Sequence, residues 1–239
     1  MTTPGAPKLS RRSALRLGGL SAVGLALAQW LPALAQSGGP DATPPDADEA
    51  LRLLIEGNRR WAAGQALLPN QGLARRSELT TGQHPFAIVV SCVDSRVPPE
   101  IVFDQGLGDL LVIRTAGHVL DSAAVGSIEY GAEELNIPLV VVLGHEKCGA
   151  VTAAIETIEH HGVAPGQIGT LVDGIRPAVE RTAGQSGDRL DNAVRANTVI
   201  TVDNLRAMAP ILTDLLAHGT LRIVGGRYDL ATGLVELLA

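Results

Sequence analysis

The chain has 239 residues and a formal net charge of −6, and only 3% of its residues are aromatic. The acidic balance argues against nucleic acid as a partner, because phosphate binding needs a basic face. A chain of this length can bury roughly 70% of its unfolded surface, which is enough for one core. Since aromatic residues are scarce, that core must be built from Val, Ile, Leu and Ala.

The first 35 residues have the pattern of an export signal. Four basic residues and no acidic ones precede an apolar stretch of small residues at 18–28, and Ala33-Leu34-Ala35 is typical of a cleavage site. Residues 10–16 (SRRSALR) resemble the twin-arginine export motif. An uncleaved membrane anchor is the alternative, but glycines interrupt the apolar stretch, which is short for a span of about 20 residues. We therefore expect a twin-arginine signal peptide at 1–35. The exported, periplasmic chain that remains would carry a charge of −10 and no membrane span.

A linker and one domain follow the signal peptide. Residues 36–45 (QSGGPDATPP) are polar and rich in Gly and Pro, which is typical of a linker. The domain, 46–239, begins with a helix predicted over 46–63, where Asp46 can cap the first turn and apolar residues follow helical spacing. The apolar stripe of this helix must find a groove to cover.

Apolar runs that alternate with helical segments predict the fold class. Three continuous apolar runs indicate buried parallel strands, at 86–90, 110–113 and 139–143. Helices are predicted at 122–135 and 149–159. Strands that alternate with helices form parallel strand–helix–strand units with right-handed connections. We therefore predict an α/β fold with a mainly parallel β-sheet flanked by helices.

The remainder of the chain is predicted to be mostly helical. Residues 171–217 have helical character, with Pro177 and Pro210 marking breaks or first turns. A last strand is predicted at 221–224, followed by a turn at Gly225-Gly226 and a short strand near the C-terminus.

Cysteine and histidine residues follow two of the predicted strands. Cys92 comes two residues after the strand at 86–90, and His145 comes two residues after the strand at 139–143. Because ligands bind beyond the carboxyl ends of parallel strands, both residues should lie at that edge of the sheet. Cys148, the only other cysteine, is three residues from His145 and so shares its face of a turn.

These three residues form a ligand set for zinc. Two thiolates and an imidazole suit Zn²⁺, and three protein ligands leave a fourth tetrahedral position open, as in catalytic sites. Asp94 and Arg96 alternate with Cys92, so a short extended segment would present all three side chains on one side. A buried cysteine or a lone histidine is more often a packed core residue, but the joint pattern favours one zinc ion per chain.

The motifs C-x-D-x-R at Cys92 and H-x-x-C at His145 resemble those of the β-class carbonic anhydrases. The similarity continues in segments around both motifs: 82–85 (GQHP), 96–100 (RVPPE), 103–109 (FDQGLGD), 126–130 (GSIEY) and 223–226 (IVGG). It covers the chain from about Asp46 to Glu236 and includes features of the plant-like subgroup.

The resemblance implies roles for the residues of the predicted site. Cys92, His145 and Cys148 would be the zinc ligands. Asp94 would either pair with Arg96 and accept a hydrogen bond from zinc-bound hydroxide, or move onto the metal as a ligand and close the site. In the first case the bidentate fork of Arg96 holds Asp94 off the zinc.

Other residues match the substrate pocket of the family. Gln83 matches a glutamine that can donate to bicarbonate, with an exposed loop residue as the alternative, and Tyr130 matches a pocket tyrosine. His118 is a candidate proton shuttle, although a solvated turn histidine is favoured. Because the family builds its pocket at a dimer boundary, we expect a homodimer or a dimer of dimers. Helix 46–63 would then pack on a partner subunit, and Gln83 would reach across the interface.

The implied function is the reversible hydration of CO₂ to bicarbonate and a proton by zinc-bound hydroxide. The motifs equally allow hydrolysis of a CO₂ analogue such as CS₂ or COS on the same scaffold. A non-catalytic zinc-binding module with Asp94 as permanent fourth ligand is disfavoured, because such a site has no need of Arg96. A thiol redox role is disfavoured because the cysteines lack C-x-x-C spacing. Export in the folded state would let zinc protect both thiols from the periplasmic oxidant.

Overall fold

A five-stranded sheet organises residues 45–238, the part of the chain that the computed structural model describes. The strands are β1 (Ala87–Cys92), β2 (Leu110–Thr115), β3 (Leu139–His145), β4 (Arg222–Tyr228) and β5 (Val235–Leu237). Their spatial order is β2-β1-β3-β4-β5, with β1 to β4 parallel and β5 antiparallel to β4. The predicted mainly parallel sheet is therefore confirmed.

Helices precede, connect and follow these strands. Those within the described residues are α1 (Ala47–Ala62), α2 (Leu73–Glu78), α3 (Pro99–Val102), α4 (Ser122–Glu133), α5 (Gly149–Glu159), α6 (Ile168–Arg181), α7 (Arg189–Arg206) and α8 (Ile211–Ala217). The signal peptide predicted at 1–35 and the linker up to residue 44 lie outside the described residues. Between residues 45 and 238, every helix is too short or too polar to cross a membrane.

The core is aliphatic on both faces of the sheet, as the scarcity of aromatic residues predicts. Successive strand residues point to opposite faces. Val89 and Val141 pack with α1 and α3 on one face, whereas Val90 and Val142 pack with α4, α7 and α8 on the other. A third cluster, formed by α5, α6 and α7, surrounds the two cysteines at the edge of the sheet.

The apolar stripe of α1 is buried against the sheet of its own chain. Asp46 caps the helix by accepting a hydrogen bond from the Glu49 amide at 2.8 Å, and Leu54 is fully buried in the core. Asn58 fastens the helix: its amide donates to the Val102 carbonyl at 3.0 Å, and its oxygen accepts from the Val235 amide at 2.8 Å. The chain itself thus supplies a groove for the buried part of this stripe, whereas Trp61 stays 36% exposed. Packing of the helix on a partner subunit, which the resemblance implied, stays a prediction.

β1 and β3 extend further than their apolar runs predict. β1 ends on Cys92 and β3 ends on His145, rather than two residues earlier. The sheet ladder explains the difference, since Cys92 is in register with Thr115 of β2 and His145 is in register with Tyr228 of β4. Both side chains therefore project from strand ends that the neighbouring strands hold in place.

Two predictions from glycine and proline are wrong. Gly225 and Gly226 do not form a turn but belong to β4. A Cβ atom at Gly226 would lie 3.0 Å from Cγ1 of Val235, so the glycine there permits the close approach of β5. Pro177 neither breaks nor begins a helix but lies inside α6, whose buried face keeps the helix packed on the core. Pro210 directly precedes α8, as a helix-start signal predicts.

Candidate metal centre

The carboxyl ends of β1 and β3 bring two of the predicted ligands together, and the start of α5 adds the third. β1 and β3 are neighbours in the sheet, so their last residues, Cys92 and His145, lie side by side. Cys148 is the residue before α5, with extended backbone angles. The exposed fraction is 4% for Cys92, 0% for His145 and 2% for Cys148. The ligand atoms of these three residues all lie within 4.8 Å of one another.

The spacing of the two sulfur atoms fits a tetrahedral zinc site. Zinc–thiolate bonds are about 2.3 Å long, so two thiolates on one tetrahedral zinc stand about 3.8 Å apart. The Sγ atoms of Cys92 and Cys148 are 3.9 Å apart. A disulfide would need a sulfur–sulfur distance of about 2.05 Å, and both cysteines are free.

The imidazole of His145 is oriented as a ligand. Its Nδ1 lies 2.9 Å from the carbonyl oxygen of Glu146, so Nδ1–H is the donor of that bond. The other ring nitrogen, Nε2, therefore carries a lone pair. Among the described residues this buried Nε2 has no hydrogen-bond partner. A buried polar atom without a partner is costly, and a metal ion at the centre of the cluster would satisfy it.

The two thiols interact directly. A hydrogen bond from the Cys148 thiol lowers the pKa of Cys92, and the Gly117 amide adds a second hydrogen bond to the Cys92 sulfur at 3.3 Å. The same contact, together with burial, raises the pKa of Cys148. A divalent cation between the sulfurs would replace the shared proton and make both residues thiolates.

Asp94 and Arg96 form a bidentate ion pair beside this cluster. The Asp94 carboxylate accepts from Arg96 Nε at 2.9 Å and from Nη2 at 2.7 Å, and the Arg96 backbone amide donates to it at 3.0 Å. The Arg96 side-chain hydrogen bonds lower the pKa of Asp94 to about 2. The carboxylate oxygen Oδ2 lies 3.9 Å from His145 Nε2, so Asp94 faces the centre without occupying it.

Arg114 is a residue of the site that the sequence analysis missed. It lies near the end of β2 and donates from Nε to the Cys92 carbonyl at 2.9 Å and from Nη2 to the Asp94 carbonyl at 2.6 Å. These bonds fix the backbone that carries both side chains. The signal in the sequence was a single arginine at the end of an otherwise apolar run.

His118 lies near the cluster but is not the solvated turn histidine that the sequence favoured. It is buried, and burial lowers the pKa of its imidazole to about 4. The ring is therefore neutral near pH 7. Its Nε2 lies 3.0 Å from the side-chain amide nitrogen of Asn197 on α7.

The two predicted substrate-binding residues lie apart from the cluster. Gln83 is exposed and borders an open groove of about 670 Å³ whose other lining residues include Leu79 and Leu107 but none of the clustered residues. Tyr130 is on α4 and is 52% exposed. Within residues 45–238, neither side chain makes a hydrogen bond to the cluster.

A parallel sheet with a Cys-His-Cys cluster at its carboxyl edge defines this protein as an α/β protein with a candidate catalytic metal centre. Residues 87–235 match the carbonic anhydrase family. The chain is 46% identical over 200 residues to the carbonic anhydrase of Mycolicibacterium smegmatis, covering 83% of this chain and 95% of that protein. It is 43% identical over 198 residues to carbonic anhydrase 2 of Mycobacterium tuberculosis, with 83% and 94% coverage.

Solved structures agree with this assignment. The β-carbonic anhydrase of Coccomyxa, determined in complex with acetazolamide, is 29% identical and matches with a TM-score of 0.61 over 79% of this chain and 86% of that chain. The β-carbonic anhydrase CcaA is 25% identical and also has a TM-score of 0.61, over 78% of this chain and 94% of that one. The chain belongs to the β-class carbonic anhydrases, which confirms the family and the enzyme class predicted from the sequence.

Proposed function

We propose that this enzyme binds one zinc ion per chain through Cys92, His145 and Cys148 and catalyses the reversible hydration of CO₂ to bicarbonate and a proton. The observation that carries the proposal is the spacing of the ligand atoms. The two sulfurs are 3.9 Å apart, and the buried Nε2 of His145 has no partner among the described residues. The names of the two mycobacterial relatives support the same reaction.

Zinc bound there would lower the pKa of a water molecule and so supply a nucleophile near neutral pH. The side chains around it have separate tasks. The ionised Asp94 can only accept hydrogen bonds, so it orients a hydroxyl group at the open side of the centre. Arg96 holds that carboxylate in place through two hydrogen bonds. With pKa values of about 2 for Asp94 and about 4 for His118, neither group carries the product proton near pH 7, and the proton passes to buffer.

We assign substrate contacts to Gln83 and Tyr130 in the assembled enzyme. Gln83 makes no hydrogen bond to the cluster of its own chain, so a contact with bicarbonate requires the centre of a second subunit. The exposed apolar residue Leu107, which lines the Gln83 groove, is suited to such an interface. The assembly is a homodimer or a dimer of dimers. Light scattering at micromolar concentration tests this directly, since a monodisperse active monomer is incompatible with a site shared between subunits.

We also propose that the enzyme is exported folded, by the twin-arginine route, to the periplasm. The support is the sequence of residues 1–35 together with the chemistry of the cluster. Cys92 and Cys148 are close enough that a modest shift would allow them to form a disulfide in an oxidising compartment. Folding around zinc before export commits both sulfurs to the metal.

The decisive experiment measures zinc content and stopped-flow CO₂ hydration on the same zinc-loaded preparation across pH. We expect one zinc per chain and a rate that rises with pH as the nucleophile ionises. CS₂ and COS are assayed in parallel, because the alternative substrates would use the same scaffold. Full zinc occupancy without CO₂ hydration would refute the proposed reaction, and absence of bound zinc would refute the proposed ligands.

A further inference from the structure

The turn that follows β2 points a backbone amide at one of the candidate zinc ligands. The Gly117 amide donates to the Cys92 sulfur at 3.3 Å. Gly117 has φ 63 and ψ 21, a left-handed conformation that residues other than glycine rarely adopt. A Cβ atom there would lie 2.7 Å from Cδ1 of Ile175 and 3.2 Å from Cβ of Ala150. The turn is therefore held closely between α5 and α6.

Asn197, on α7, fixes this turn from the other side. It is buried, and its side-chain nitrogen lies 3.0 Å from the Gly117 carbonyl oxygen and 3.0 Å from Nε2 of His118. A carbonyl oxygen can only accept, so the atom facing it must be the amide nitrogen of Asn197 and not its oxygen. The second proton of that amide then points to His118, whose Nε2 accepts it.

Two features of His118 in this turn are energetically unfavourable. His118 has φ 46, a left-handed conformation that is uncommon for residues other than glycine. With Nε2 as the acceptor, its proton is on Nδ1, and within residues 45–238 this buried Nδ1 has no hydrogen-bond partner. Strained backbone and unpaired buried groups of this kind concentrate at functional sites. In this protein, the strained backbone and the unpaired nitrogen both belong to the turn that points the Gly117 amide at the Cys92 sulfur.

We propose that Asn197 and His118 are positioning residues that hold the Gly117 amide against the Cys92 thiolate and thereby set how strongly that sulfur donates electrons to the metal. The inference rests on the proposed zinc ligands. A thiolate that accepts a hydrogen bond donates less charge, which leaves the metal a stronger Lewis acid. Asn197 is thus an indirect determinant of the pH at which the enzyme becomes active, although it contacts neither substrate nor metal.

The test compares two variants of α7 in the full-length enzyme. Asn197→Leu removes both donors and keeps the branching of the side chain. The matched control is Thr201→Val, because within residues 45–238 the buried Thr201 hydroxyl hydrogen-bonds only to the Asn197 backbone carbonyl, at 2.8 Å. In cobalt-substituted protein, Asn197→Leu should move the sulfur-to-metal charge-transfer band to lower energy. In the zinc enzyme, Asn197→Leu should shift the pH dependence of CO₂ hydration to higher pH and lower kcat/KM near pH 7 roughly tenfold. Thr201→Val should leave both unchanged.

A second measurement needs no variant and so does not depend on how well Asn197→Leu folds. In unmodified protein loaded with a spin-active cadmium isotope, the Gly117 amide proton should show a scalar coupling to the metal through the Cys92 sulfur. Absence of this coupling in metal-bound protein would overturn the inference. So would a folded Asn197→Leu enzyme with an unshifted band, or equal shifts in both variants. Absence of any charge-transfer band in the parent cobalt enzyme would instead refute the zinc ligands themselves.

Discussion

Replacing Arg96 with alanine should allow Asp94 to become the fourth zinc ligand, and the zinc itself should stay bound. In the structure the Asp94 Oδ2 atom lies 3.9 Å from His145 Nε2. Zinc bonds to nitrogen and oxygen are about 2.0–2.2 Å long, so an oxygen and a nitrogen on one tetrahedral zinc stand roughly 3.4 Å apart. The distance between Asp94 Oδ2 and His145 Nε2 is therefore only about half an ångström longer than it would be if both atoms were zinc ligands. Two Arg96 hydrogen bonds, at 2.9 Å and 2.7 Å, hold it back.

The lowered pKa of Asp94 reflects its ion pair with Arg96. The Arg96 hydrogen bonds are the largest cause of its fall from 3.8 to about 2, and a change of that size corresponds to a factor of roughly 60 in the ionisation equilibrium. The Arg96 side chain is 52% exposed, so solvent screening reduces its contribution. We expect Asp94 to ligate the zinc in most molecules of Arg96→Ala, so that kcat/KM falls about tenfold or more while zinc is retained.

The sign of the pH dependence follows from the same pKa. Because the folded-state value is depressed, Asp94 contributes stability above its unfolded pKa of 3.8 and loses it as the pH falls towards about 2. In Arg96→Ala the carboxyl pKa in zinc-free protein should return towards 3.8, which a titration followed by carboxyl NMR would measure.

The assay combines stopped-flow CO₂ hydration with zinc analysis and the spectrum of the cobalt-substituted variant, which should lose its exchangeable position. Lys147→Gln is the matched control, since Lys147 is an exposed cation beside Cys148 whose ammonium group pairs with Glu146 at 3.0 Å and not with Asp94. It should hydrate CO₂ at the parent rate. If Arg96→Ala keeps its zinc and also works at nearly the parent rate, Arg96 does not hold Asp94 off the metal.

Three further predictions address the ligands, the scaffold and the route of export. Cys148→Ser should lose both zinc and activity, because a hydroxyl replaces a thiolate ligand poorly; full zinc occupancy would mean that the ligand set is wrong. Arg114→Leu loses the hydrogen bonds to the Cys92 and Asp94 carbonyls. It should lower the free energy of unfolding by about 2 kcal/mol in a denaturant titration; an unchanged midpoint would contradict this. Changing Arg11 and Arg12 to Lys should leave active, zinc-loaded precursor in the cytoplasm, and undiminished activity in the periplasmic fraction would exclude the twin-arginine route.

The sequence by itself determined the class of fold and the candidate ligand set. Apolar runs of five or so residues predict buried strands wherever they occur, so β1, β2 and β3 were recognisable without any knowledge of their neighbours. Cys92 and His145 followed two of those runs, and parallel strands end at a common edge. The ligand residues could therefore be grouped before any contact was known. The roles of Gln83 and Tyr130 stay predictions, because they depend on a second subunit.

Only the tertiary structure decided how the site is held. Nothing local in the sequence indicated that Arg114 donates to the Cys92 and Asp94 carbonyls, or that Asn197 reaches the turn at Gly117, 80 residues earlier. The same is true of His118, which reads as a turn residue until α7 buries it. Local patterns report which face of an element is apolar. Packing between elements that are far apart in the chain decides which polar groups are buried. Buried polar groups need hydrogen-bond partners within the protein, and here those hydrogen bonds orient the site.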